Sequence, residues 1–131
     1  MRIHEQKTSP PTAYRRLLTV VLNTSQGPKR ITGTSVLDRP ILVAVEDYRV
    51  DTPIGEGFIL FVENKDQPGL VGRVGTIAGM HDVNISSMDV GRIAARDRAM
   101  MVLALDEAML EDALEEISAI EGILSVTQVR I

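Results

Sequence analysis

The chain has 131 residues, of which 44% are hydrophobic and 24% charged, and its formal net charge is −4. This composition is typical of a globular protein and argues against disorder. The negative charge, without any run of Lys or Arg, makes nucleic acid a poor partner, and 3% aromatic residues are too few for base-stacking surfaces.

The content of Cys and His limits the possible chemistry and location. The chain has no cysteine, which excludes disulfides and thiol chemistry and fits a reducing cytoplasm. Residues 1–7 lack the apolar core of a signal peptide, and no apolar run approaches the roughly 20 residues that span a bilayer. His4 and His81 have no partners at metal-ligand spacing. We therefore expect a soluble cytoplasmic protein without a metal or a membrane partner.

The first part of the chain, residues 1–55, predicts a small antiparallel β segment. Alternating or apolar runs at 17–22, 30–37, 41–45 and 47–50 are separated by short turn clusters, as in a meander. Residues 1–14 are largely polar and contain adjacent prolines, so they predict loose or edge structure. The segment is too small to bury a core alone. It should pack on the rest of the chain, on a second copy, or on further sequence.

The second part begins after a Pro- and Gly-containing stretch at 51–57, where we place the domain boundary, with domains at 1–55 and 56–131. Its pattern predicts, in chain order, a strand at 58–63, a helix at 69–81, strands at 83–91 and 99–105, a helix at 109–120 capped by Gly122, and a strand at 123–131. The order βαββαβ predicts an α+β ferredoxin-like fold with both helices on one face of a four-stranded antiparallel sheet. A second sheet or a second subunit should cover the other face.

The polar loop NKDQPG at residues 64–69 joins the first of these strands to the first helix. Pro68 suits a first helical turn, and Gly69 allows a ligand to approach the backbone. Unpaired N–H groups at a helix start attract carboxylates, while Asp66 adds a negative charge beside them. The loop thus has the chemistry to hold both ends of a small zwitterion. Asp66 has a second interpretation, as a carboxylate that complements the helix dipole.

Catalytic and nucleotide-binding motifs are weak. Gly69, Gly72 and Gly75 have the spacing GxxGxxG instead of GxGxxG, and no parallel βαβ unit surrounds them. Gly72, Gly75 and Gly79 instead predict a stripe of small residues that packs against the sheet or a partner. The sequence has no Ser/His/Asp or Cys/His set. We therefore expect that this chain alone is not an enzyme and holds no cofactor.

Longer stretches resemble a known family. NKDQPGLVGRVGTI at 64–77, followed by VNISSMDVGR at 83–92, resembles the ACT domain that ends bacterial D-3-phosphoglycerate dehydrogenases; AMMVL at 99–103 and GILSV at 122–126 fit the same pattern. YRRLLTV at 14–20 and DYRVD at 47–51 more loosely resemble the end of the regulatory domain that precedes ACT in the longer forms. The resemblance implies a regulatory fragment of an NAD-dependent enzyme of L-serine biosynthesis, with NAD bound outside this chain.

The same resemblance implies feedback inhibition by L-serine, bound between two ACT domains that meet edge to edge. Asn64 and Asp66 of one subunit and Asn84 of the other would hold the ligand, with Asp66 on the ammonium and the N–H groups from Gly69 and Leu70 onward on the carboxylate. Asn84 has a plainer interpretation as a turn residue. In relatives the upstream domain can bind a second, anionic effector, for which Arg30, Arg39 and Arg49 are the available cations.

Three other functions remain open at this stage. A structural dimerisation module would have the same fold without a ligand. The regulatory part of an iron–sulfur L-serine dehydratase carries a similar pair of domains. An RNA-binding plait would need an aromatic pair on its central strands and a basic face, and the sequence predicts neither.

Overall fold

The computed structural model describes residues 3–8, 17–24 and 27–131, which form two antiparallel sheets and two helices. In the first sheet the strands follow chain order: β1 (Ile3–Thr8), β2 (Leu17–Thr24), β3 (Gly27–Val36), β4 (Arg39–Val45) and β5 (Tyr48–Pro53). This arrangement confirms the predicted meander, with β1 at an edge. The predicted linker is shorter than expected, because β5 continues to Pro53 and only residues 54–57 connect the sheets. The adjacent prolines Pro10 and Pro11 lie outside the described residues.

The second part has the predicted ferredoxin-like fold. Its elements are β6 (Phe58–Lys65), α1 (Leu70–Met80), β7 (Ile85–Arg92), β8 (Arg98–Leu105), α2 (Glu111–Ser118) and β9 (Ile123–Arg130). The strand order in the sheet is β7-β8-β6-β9, and every pairing is antiparallel. Gly122 does not cap α2 as predicted. It has a φ of 100° in the turn three residues beyond the Ala119 cap, because α2 ends at Ser118.

Two apolar cores lie on the two faces of the second sheet. Both helices pack on one face, where Leu60, Val62 and Leu103 of the sheet contact Val74 and Ile117 of the helices. The other face packs on the first sheet through a core of Leu42, Val45, Tyr48, Val50, Ile59, Phe61, Met100 and Val102. The β segment therefore packs on the second unit of the same chain, the first of the three expected arrangements.

The closest approach between the sheets is at β5 and β7. Gly91 of β7 lies directly against the backbone carbonyl of Arg49, and an added Cβ would overlap that oxygen. Two residues earlier on β7, the Asp89 carboxylate accepts a hydrogen bond from the backbone N–H of Asp51. The position of β7, the edge strand of the second sheet, is thus coupled directly to the first sheet.

Tyr48 also joins the two sheets, because its phenol donates a hydrogen bond to the Glu63 carboxylate at 2.9 Å. Burial, together with this hydrogen bond and the charge of Glu63, raises the pKa of Tyr48 to about 12. The folded state thus holds the phenolic proton more tightly than the unfolded chain. The resulting stabilisation is complete below pH 10 and is lost as the pH rises toward 12.

We therefore expect the free energy of unfolding to fall by about 2 kcal/mol between pH 10 and 12 because of Tyr48 alone. Urea denaturation of the wild type and of Tyr48→Phe across this range measures the effect, since the variant retains the ring but has no phenol to ionise. Equal slopes of stability against pH in the two proteins would contradict the assignment.

Candidate functional site

The loop between β6 and α1 leaves the start of the helix uncapped. Gly69 is the N-cap residue, with a φ of 91°, and no side chain among the described residues caps the helix, whose first turn contains no acidic residue. Pro68 precedes the cap, so it is not in the first helical turn as predicted. Leu70 is the first helical residue, and its side chain is buried in the core, so it offers a ligand only its backbone N–H. The positive end of the helix dipole is therefore uncompensated on its own helix.

Asp66 does not cap α1 but contacts the connection between β7 and β8. Its Oδ2 atom accepts hydrogen bonds from the backbone N–H of Arg96 at 2.8 Å and from Arg92 Nη1 at 3.1 Å. The Arg96 N–H and then the Arg92 guanidinium hold the pKa of this carboxyl below its usual value. Asp66 is therefore ionised at neutral pH. Within the described part of the chain, its Oδ1 atom has no hydrogen-bond partner.

Asn64 lies beneath this loop and is only 3% exposed. Its Nδ2 donates to the carbonyl of Lys65 at 2.7 Å, whereas its Oδ1 has no hydrogen-bond partner among the described residues. A buried amide oxygen without a partner is costly, so a donor from a ligand or water would be stabilising. The sequence predicts that Asn64 contacts a ligand, but at 3% exposure only a group that enters the loop would reach its side chain.

Asn84 lies at the opposite end of β7 from Asp66. Its Nδ2 donates to Asp106 at 2.6 Å, and its backbone N–H donates to Glu107 at 2.8 Å. Arg92, which contacts Asp66, is the last residue of β7, whereas Asn84 precedes its first. The length of the strand, roughly 25 Å, separates the two positions. Within one chain, Asp66 and Asn84 therefore do not meet.

One side of the domain exposes both a sheet edge and a helix flank. The strand β7 pairs only with β8 in its sheet, so its other edge has no strand partner among the described residues. Val71 and Val90 are exposed apolar residues on this side. At 100° per residue, Gly75 and Gly79 follow Val71 on the flank of α1 away from α2.

The glycines of α1 do not pack on the sheet. A Cβ added at Gly72, Gly75 or Gly79 would meet no atom within 4 Å. Of the two predicted roles for this stripe, close packing against the sheet is wrong, and contact with a partner stays a prediction.

Two of the three arginines considered for a second effector, Arg30 and Arg39, lie far apart. Arg30 pairs with Asp47 at 3.3 Å beside the turn between β4 and β5. Arg39 is at the other end of β4, where it lines a cavity of about 490 Å³ between the ends of the sheets. The structure therefore does not bring Arg30 and Arg39 into a single site, because Arg30 of β3 lies beside the last residues of β4, whereas Arg39 is the first residue of β4.

In the described part of the chain, no group of three or more His, Asp or Glu side chains is placed to bind a metal ion. Neither helix is long and apolar enough to cross a membrane.

The fold and the loop define a class of protein. Residues 58–122 match the family model described as ACT domain. Together with the β7-β8-β6-β9 sheet and its two helices, this match shows that the second part of the chain belongs to the ACT domain family. The resemblance noted in the sequence is thereby confirmed.

The whole chain is similar to D-3-phosphoglycerate dehydrogenases. It is 30% identical over 132 aligned residues to that enzyme of Synechocystis, covering 100% of this chain and 24% of the relative. It is 29% identical to the Methanocaldococcus jannaschii enzyme, over 90% of this chain and 22% of the relative. D-3-phosphoglycerate dehydrogenase 2, chloroplastic, of Arabidopsis thaliana is 37% identical over 64% of this chain and 13% of the relative. The chain thus spans about a quarter of the length of the first two relatives.

Proposed function

We propose that this chain is the regulatory part of a D-3-phosphoglycerate dehydrogenase and binds L-serine between two copies of its ACT domain as a feedback inhibitor. The observation that carries the proposal is the separation of polar groups along β7. Asp66 and the uncapped start of α1 lie at one end of this edge strand, and Asn84 lies at the other.

A two-fold axis would bring these ends together. If β7 pairs antiparallel with β7 of a second copy about its centre, Asn84 of one subunit falls beside residue 93 of the other, next to Arg92 and Asp66. The exposed flank of α1 would meet its counterpart in the same interface, where Gly75 and Gly79 allow close approach of the two helix backbones. Such a dimer has two identical ligand sites.

The ligand atoms are assigned by charge. The ammonium of L-serine is placed at Asp66, which is ionised and has Oδ1 available, and the carboxylate at the N–H groups of Gly69 and Leu70. The Asn84 amide of the second subunit both donates and accepts, so it suits the serine hydroxyl. The unpartnered Oδ1 of Asn64 is a further acceptor below the loop. Bound L-serine would stabilise one arrangement of the two subunits over another.

The parent enzyme's activity and location belong to the same proposal. NAD and 3-phosphoglycerate would bind outside this chain, which we propose has no catalytic group or cofactor of its own. We propose a cytoplasmic location, which is consistent with the lack of cysteine. One observation favours an alternative, a dimerisation module without a ligand: the hydrogen bonds of Asp66 with Arg92 and Arg96 also stabilise the turn between β7 and β8.

Calorimetric titration of the 131-residue chain with L-serine tests the proposal, with glycine, D-serine and L-phenylalanine as comparisons. We expect saturable binding of about one L-serine per subunit and weaker binding of the other three. Absence of heat and of any thermal shift with all four amino acids would favour the dimerisation module.

A further inference from the structure

We infer that Arg92 is a carboxylate-binding residue of the amino-acid site and, with Asp66, selects ligands that carry both an ammonium and a carboxylate. This inference rests on the proposed function. The geometry is that of the Asp66–Arg92 ion pair, in which Oδ2 and Nη1 are 3.1 Å apart. The two side chains come from different segments, the β6–α1 loop and the last residue of the edge strand β7.

The ion pair leaves binding capacity on both partners. A guanidinium has five N–H donors in a planar fork, and among the described residues Arg92 uses one nitrogen, toward Asp66. Its side chain is 54% exposed, so the remaining donors are open to a ligand. Asp66 uses Oδ2 for both of its hydrogen bonds, which leaves Oδ1 available. A ligand therefore need not break the pair in order to bind both members.

The arrangement of charges matches an α-amino acid. In such a ligand the ammonium and carboxylate are on the same carbon, and here an available anion and an available cation are adjacent. The carboxylate would lie between the Arg92 fork and the first N–H groups of α1, both of which favour an anion. A simple amine would satisfy only Asp66, and a simple acid only Arg92. The ion pair thus supplies selectivity for the zwitterion, beyond the contacts that recognise the serine side chain.

The test compares three ligands on four proteins. L-Serine, ethanolamine, which lacks the carboxylate, and 3-hydroxypropionate, which lacks the ammonium, are titrated into the wild type, Arg92→Ala, Arg92→Lys and Arg130→Ala. The last variant is the matched control, because Arg130 is exposed at the end of β9 away from the loop and has no ion pair among the described residues. Binding is followed by calorimetry and by NMR shifts of the Gly69 and Leu70 amides.

We expect Arg92→Ala to weaken L-serine and 3-hydroxypropionate by about 10- to 100-fold, which is typical for loss of a charge-assisted hydrogen bond. Ethanolamine should bind Arg92→Ala and the wild type with equal affinity. Arg92→Lys should be intermediate, because it retains the charge without the fork, and Arg130→Ala should bind all three ligands like the wild type. If Arg92→Ala fails to fold, Arg92→Lys still tests the inference.

Two outcomes overturn the inference, and they differ in what they say about the proposed function. In the first outcome, the wild type binds L-serine, and the Arg92 variants either bind it equally well or lose as much affinity for ethanolamine as for L-serine. Arg92 then does not bind the carboxylate, but the serine site stands. If the wild type binds no amino acid, the site and the inference fail together.

Discussion

Asp66→Ala is expected to weaken L-serine binding by about 10- to 100-fold, because the ammonium loses its only charged acceptor in the proposed site. The pKa of Asp66 is lowered by the Arg96 N–H and by Arg92, so the carboxylate is present at all pH values near neutrality. Affinity for L-serine should therefore be constant from pH 6 to 8 and decline only in acid, as the carboxyl becomes protonated. Calorimetric titration at several pH values measures both effects.

Two variants separate the charge of Asp66 from its structural role. Asp66→Asn retains an oxygen that can accept the Arg96 N–H, so the turn between β7 and β8 should be preserved while the charge is lost. The affinity of Asp66→Asn for L-serine should be nearly as low as that of Asp66→Ala. Asp112→Ala, on the exposed face of α2, removes an equal charge elsewhere and should bind normally. If Asp66→Asn binds L-serine with wild-type affinity, the Asp66 carboxylate only stabilises the turn between β7 and β8 and does not bind the ligand.

Gly91→Val is expected to lower the free energy of unfolding by about 2–3 kcal/mol. A side chain at this position overlaps the carbonyl of Arg49 and also lies close to the Val50 side chain, so β5 would have to move. The sheets must separate locally, which would also strain the hydrogen bond between Asp89 and the Asp51 N–H. Urea denaturation monitored by circular dichroism measures the change.

The matched control is a second glycine substitution with the opposite sign. Gly75→Ala places a methyl group on α1 where no atom lies within 4 Å, so it should stabilise the isolated chain by up to about 1 kcal/mol through helix propensity. If Gly91→Val is as stable as the wild type, the close contact between β5 and β7 is not part of the fold in solution.

Most of the fold follows from local patterns in the sequence. The period-2 and period-3.6 patterns predicted each helix and strand of the second sheet to within a few residues, and the order βαββαβ determined their topology. The position of the first sheet was not predictable from local patterns. It depends on contacts between residues far apart in sequence, such as Phe61 with Val45, and the sequence analysis left three possible partners for that segment.

The candidate site was predictable in type but not in detail. The sequence indicated a polar loop before a helix, and the structure has Gly69 at the uncapped helix start. It gave no indication that Asp66 pairs with Arg92, because the two residues are 26 positions apart and meet only through the pairing of β7 with β8. The sequence pattern also does not indicate that Asn64 is buried, because it predicts that the polar loop begins at residue 64, whereas β6 continues to Lys65.

The central claim is that one L-serine site is built from two subunits, and subunit mixing tests it most directly. Asp66→Ala and Asn84→Ala should each bind L-serine poorly alone. A mixed dimer of the two variants has one site with both defects and one with neither. After random exchange of subunits, calorimetry should recover about a quarter of the wild-type sites at wild-type affinity. A wild type that binds L-serine, with no recovery in the mixture, would contradict a site shared between subunits.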